Sequence, residues 1–191
     1  MSTLFVIAGS SGAGKTFLLD NVSRISEKLI IVNKKTTRDI RVQEKNLNLA
    51  KYDLQFDFSS EEVCKSDFHY SFRNKWYGLN RADIDTVFLK GKSPIFVLRR
   101  VSAIIALQQA YSGRVKSILC QSCFTKEELI DYLLKKGNPI SEVKDRILSK
   151  HEEECNNEYR LNKNLFDCTI INHYDSKFIE EAKNFILANM S

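Results

Sequence analysis

Hydrophobic residues in this chain gather into five short runs, at 3–8 (TLFVIA), 28–33 (KLIIVN), 93–98 (SPIFVL), 115–120 (VKSILC) and 166–171 (FDCTII). Each is rich in β-branched residues and apolar almost throughout, which predicts strands covered on both faces. Between the runs the pattern takes a helical period, at 15–27, 81–91, 101–111, 125–136, 141–158 and 175–189. In the last of these, Phe178, Ile179, Ala182, Phe185 and Ile186 make one apolar stripe. Strand and helix alternating in this way predict an α/β fold, a parallel sheet with helices on both faces. Residues 42–80 break the rhythm. They begin polar (VQEKNLN) and continue in short, partly alternating segments (LQFDF, FHYSF), which predicts an insert of small antiparallel strands and not a separate domain.

The length of 191 residues suits one domain with such an insert. With 43% hydrophobic and 28% charged residues, composition excludes a disordered chain. The net charge of +5 is mild and its basic residues are spread out, so it points to a small phosphorylated ligand, with no nucleic-acid or membrane partner expected. The first apolar run stops at Gly9, too soon for a spanning helix or signal peptide. Five cysteines without an export signal predict reduced thiols in a cytoplasmic protein. Cys120 and Cys123 form a C-x-x-C, but no second pair at zinc spacing accompanies them and Cys120 ends a predicted buried strand.

One segment carries explicit chemistry. Gly9-Ser10-Ser11-Gly12-Ala13-Gly14-Lys15-Thr16 matches the Walker A pattern G-x-x-x-x-G-K-[ST], after a predicted strand and opening a predicted helix. Glycines there let main-chain N–H groups converge on phosphate oxygens, and a helix start adds a favourable dipole. Lys15 is expected to bridge the β- and γ-phosphates of a nucleoside triphosphate, and the Thr16 hydroxyl to ligate Mg²⁺. After the second strand, Lys34, Lys35, Arg38 and Arg41 place four cations within eight residues, at the sheet edge where ligands of open parallel sheets bind. Arginine forks suit phosphate.

The order VIAGSSGAGKT, TTRDIR, WYGL, a helix with DRI, and FDCTIIN resembles the guanylate kinase family from about residue 4 to 188. The resemblance implies a P-loop NTPase three-layer sandwich, with core 1–33 and 81–191, an acceptor-binding insert at about 34–80 and a mobile lid at about 132–146. It implies ATP and Mg²⁺ as cofactors and a kinase that moves the γ-phosphoryl group onto a phosphorylated acceptor, GMP by family default. Arg38, Arg41 and Tyr77 correspond to residues that hold the acceptor phosphate. Arg146 and Lys136 correspond to lid cations acting with Lys15 in catalysis, with Tyr132 where the family has its first lid arginine. Asn172 corresponds to the asparagine near the adenine.

The residues that read guanine in that family differ here. Lys34 stands where a serine is expected, the segment before Tyr77-Gly78 has no carboxylate, and Arg99 and Arg100 replace the middle-strand acids. Leu54 takes the place of a tyrosine in the insert. Lys34 and Arg99 therefore join the candidate acceptor-binding residues, and they suit a substrate with an additional anionic group. The TTRD and YSFRNKWYG segments also resemble ribose 1,5-bisphosphate kinases, which makes a sugar bisphosphate the rival acceptor. A non-catalytic nucleotide-binding module is the third reading. His69, Tyr70 and Trp76 are aromatic candidates for packing or for orienting an acceptor.

Overall fold

A computed structural model describes residues 2–40 and 53–190. The chain starts with β1 (Leu4–Gly9), α1 (Lys15–Asp20), α2 (Val22–Ile25), β2 (Leu29–Ile31) and β3 (Lys34–Thr36). It continues through β4 (Leu54–Gln55), α3 (Ser60–Cys64), β5 (Phe68–Phe72), β6 (Lys75–Leu79), α4 (Arg81–Leu89), β7 (Ser93–Val97) and α5 (Val101–Ala110). The last part holds β8 (Val115–Ser122), α6 (Lys126–Lys135), α7 (Ile140–Leu148), α8 (Lys150–Leu161), β9 (Cys168–Asn172) and α9 (Lys177–Asn189).

All five apolar runs become strands of one parallel sheet, in the order β2-β7-β1-β8-β9. The central strand β1 is buried along its whole length. Its alternate residues serve two cores: Leu4, Val6 and Ala8 meet the residues of α4, α5 and α8, while Phe5 and Ile7 meet those of α1, α2 and α9. An unbroken apolar run is thus what a strand between two helical layers needs. Burying each such Leu, Ile or Phe stabilises by about 1.5–3 kcal/mol. On α9 the predicted stripe faces inward through Phe178, Ala182 and Ile186. The fold is α/β, with helices on both faces of the sheet.

Two predicted helices are interrupted. The one over 15–27 breaks at Asn21, whose Nδ2 donates back to the Phe17 carbonyl at 2.8 Å, a local bond that competes with helical pairing. The one over 141–158 breaks at Ser149, which is extended (φ −67°, ψ 146°) and accepts the Glu152 N–H as cap of α8. A Ser-x-x-Glu segment inside a helical run is the signature of a second start.

Strands β3, β4, β5 and β6 build a second, four-stranded sheet in the order β4-β3-β6-β5. It is not wholly antiparallel as its alternation predicts, because β3 and β4 pair in parallel, and it carries the short helix α3. The β5–β6 hairpin turns through Arg73 and Asn74, both at positive φ (51° and 55°), the geometry of a two-residue turn. Among the described residues no helix is long and apolar enough to cross a membrane.

Candidate active site

The glycine-rich loop joins β1 to α1 at the carboxyl edge of the main sheet. Gly9, Gly12 and Gly14 hold φ of 141°, 81° and 92°, which side chains rarely adopt. At Gly14 a Cβ would also stand 2.4 Å from the Asn172 amide nitrogen. These dihedrals let the main chain curl into an anion-sized concavity. Lys15 lies within it, 9% exposed, with Nζ donating to the Ser10 carbonyl. Burial, reinforced by the Arg99 cation, brings its pKa down to about 7 against the opposing pull of Glu152. Thr16 beside it is exposed.

Two cavities meet at this loop. The larger, about 750 Å³, is bounded by Gly12, Gly14, Lys15 and Thr16 on one side and by Arg99, Tyr132, Lys136, Arg146, Asn172 and Tyr174 on the other. Its volume is ordinary for a ligand of nucleotide size. The smaller, about 90 Å³, opens toward the second sheet and includes Lys34, Arg38, Asp53, Leu54, Tyr70, Tyr77 and Val97. Lys15, Thr16 and Arg99 belong to both. A further cavity of about 480 Å³ lies behind the loop, beside Ser10, Cys120, Cys123 and His173.

On the acceptor side Arg38 and Tyr77 face the smaller cavity. Arg38 lies 5.1 Å from the Phe56 ring, and Tyr77 stacks on Tyr70 at 5.2 Å. Arg41 lies outside the described residues. Lys34 departs from expectation. It is no open cation at the sheet edge but is 2% exposed and ion-paired with Asp53. The same Asp53 carboxylate accepts the Val97 N–H at 2.7 Å. Burial lowers the Lys34 pKa and Asp53 partly restores it. A carboxylate thus does stand beside the middle strand, contributed by the insert. Arg100 turns away, paired with Glu158 at 3.0 Å. His69 is exposed on the outer face of β5, and the Trp76 main chain pairs with Thr36 and Thr37.

On the nucleotide side Lys136 is exposed, 5.6 Å from the Tyr132 ring. Arg146 is half-buried, with Nη1 3.4 Å from both Glu142 and Asn138. Asn172 is buried; its amide contacts the Ala13 carbonyl at 3.4 Å and accepts the Tyr174 N–H at 2.7 Å. Tyr174 stacks on Phe124 at 4.3 Å, abuts Tyr132, and donates its hydroxyl to the Gly12 carbonyl at 3.0 Å.

Sequence reasoning missed Glu152. Its carboxylate accepts both the N–H and the Oγ–H of Ser11 in the loop. It also pairs with Arg99 at 2.9 Å and with Arg73 at 3.0 Å. Arg73, from the β5–β6 turn, donates as well to the Arg146 carbonyl. Burial raises the Glu152 pKa, but Arg99, the Ser11 N–H, Lys15 and Arg73 outweigh it and hold the group below the ordinary carboxylate value. The buried Nε atoms of Arg73, Arg99 and Arg146 have no hydrogen-bond partner. This is an electropositive junction with donors in reserve, as an incoming phosphate requires.

No protein-family model matches the chain. It is 28% identical over 178 residues to the guanylate kinase of Alkalilimnicola ehrlichii, covering 88% of this chain and 84% of that one. To the guanylate kinase of Hydrogenovibrio crunogenus it is 24% identical over 189 residues, covering 98% and 88%. The crystal structure of guanylate kinase from Anaplasma phagocytophilum superposes with a TM-score of 0.69 over 99% of this chain and 86% of that one, at 17% identity. Similarity over most of the chain and a shared fold support a divergent guanylate kinase-like protein.

Proposed function

We propose that the protein is an ATP-dependent kinase that transfers the γ-phosphoryl group to a phosphorylated small-molecule acceptor. The observation that carries this reading is the meeting of two cavities at Lys15 and Thr16. A nucleotide in the larger cavity would present its terminal phosphate to an acceptor in the smaller one. The glycine loop, Lys15 and Arg146 would neutralise the triphosphate, Tyr132 and Tyr174 would flank its apolar part, and Arg38 and Tyr77 would hold the acceptor phosphate. Among the described residues no group of three His, Cys, Asp or Glu side chains could hold a metal unaided. Mg²⁺ would therefore be held by Thr16 and the nucleotide phosphates, where it supplies further charge neutralisation.

GMP is the acceptor suggested by the names of the relatives. A specific observation favours a second reading, a sugar bisphosphate. Arg99, where the family resemblance expects an acid, brings a cation to the cavity that Lys15 and Arg38 also line, whereas Lys34 there is neutralised by its ion pair with Asp53. A more anionic acceptor suits that lining.

The test is ADP formation from ATP·Mg²⁺ with a panel of nucleoside monophosphates and ribose phosphates. Turnover with one acceptor, abolished by Lys15→Ala, is the expected result. Tight ATP binding without ADP formation against the whole panel would make the protein a non-catalytic nucleotide-binding module.

A further inference from the structure

The position of Arg99 carries the reading above one step further. It follows β7 of the main sheet and belongs to both cavities. Three contacts fix it. Glu152 accepts from Nη2 with both oxygens, at 3.1 and 2.9 Å. Ser11 Oγ, in the phosphate loop, lies 3.2 Å from the same nitrogen. The Phe72 ring lies 4.3 Å from the guanidinium carbon. A guanidinium held on one edge by a carboxylate and on one face by a ring keeps a single orientation. Its Nε–H remains buried and unpartnered, a costly arrangement unless another acceptor completes it.

We infer that Arg99 is a catalytic residue of the phosphoryl transfer, contacting the group in transit between the two cavities. In this step an oxygen of the acceptor attacks the γ-phosphorus and the bond to the β,γ-bridging oxygen breaks. The bond's electron pair leaves with the nucleoside diphosphate. When the attacking oxygen belongs to a phosphate dianion, no proton has to move. Charge is redistributed over the oxygens of the moving group, and a fixed cation beside it stabilises that redistribution without reorganising. Arg146 and Lys136 sit on the α6–α7 pair, whereas Arg99 stands at the junction, two residues beyond the end of β7. Glu152 and Phe72 are positioning residues: they hold the guanidinium at the junction.

This inference rests on the kinase reading, and the test separates the two. Wild type, Arg99→Lys and Arg99→Ala are compared with the best acceptor of the panel, together with ADP affinity and melting temperature. Arg99→Lys keeps a charge opposite Glu152, so it covers the case in which Arg99→Ala fails to fold. The expected result is a fall in kcat of about 100-fold for either variant, with ADP affinity within about threefold of wild type and partial recovery of Arg99→Ala by added guanidinium ion. If kcat is retained and only the acceptor KM rises, Arg99 is a binding residue and the inference fails while the kinase reading stands. If the wild type turns over no acceptor, the kinase reading fails and the inference with it.

Discussion

Ser11 and Glu152 lie 141 residues apart and are joined twice, through the Ser11 N–H and its hydroxyl. The relationship is notable because Glu152 also belongs to a Ser-x-x-Glu segment. At Ser59–Glu62 and Thr125–Glu128 the same pattern closes on itself as a reciprocal capping box. At Ser149 the serine caps the helix, but the glutamate crosses to the phosphate loop. One carboxylate therefore locks α8, the loop, Arg99 and Arg73 together.

Glu152→Ala leaves two guanidiniums facing one another without their anion. Removing one partner of a buried ion pair typically costs about 3–5 kcal/mol, which for a chain of this size lowers the melting temperature by roughly 10 °C. Glu152→Gln keeps one acceptor oxygen for Ser11 and loses less. A thermal melt of the three proteins measures this, and a shift under about 2 °C for the alanine variant would contradict the assigned network.

Lys15 makes stability pH-dependent. Its folded pKa is about 7 against 10.5 in the unfolded chain, so between those values the unfolded state binds the extra proton and stability rises with pH. The slope is at most about 1.4 kcal/mol per pH unit. Denaturant midpoints of wild type and Lys15→Met at pH 7 and pH 9 should diverge in favour of wild type as pH rises. Phosphate binding reverses the perturbation by recharging the amine. Nucleotide binding above pH 7 should then take up a proton, and affinity should fall as pH rises. Calorimetry in two buffers of different ionisation enthalpy reads the uptake directly.

The Lys34–Asp53 pair predicts strong non-additivity. Lys34→Met or Asp53→Leu alone strands a buried charge and should cost about 3–5 kcal/mol, whereas the double variant should lie close to wild type. Denaturant unfolding of the four proteins gives the coupling. Additive losses would mean that the two side chains are not paired.

Arg38 and Arg146 should separate kinetically. Arg38→Ala should raise the acceptor KM about tenfold or more with a smaller change in kcat. Arg146→Ala should depress kcat, by up to about 10³-fold if it contacts the transferring group. Steady-state kinetics with the acceptor and ATP varied in turn distinguish these outcomes; an unchanged acceptor KM in Arg38→Ala would misplace the acceptor site.

Features that depend on neighbours in the chain were legible before any fold was known. The glycine loop could be read because its spacing and flanking elements follow from local dihedral requirements. The five strands could be read because apolar, β-branched runs too short for helices belong between two helical layers. The helix breaks at Asn21 and Ser149 were less plain, since a side-chain bond to the local backbone interrupts a run whose apolar period continues.

Contacts that packing alone creates were not legible. Nothing near Lys34 announces that Asp53, nineteen residues on, will neutralise it inside the second sheet. Nothing near Arg73 shows that a turn residue will reach Arg146, or near Ser149 that its glutamate will leave the helix. Backbone period and turn geometry are local properties of a few residues. The partner of a buried charge is settled by which elements the sheet order brings within a few ångströms, and by the rule that such a charge finds an opposite one there.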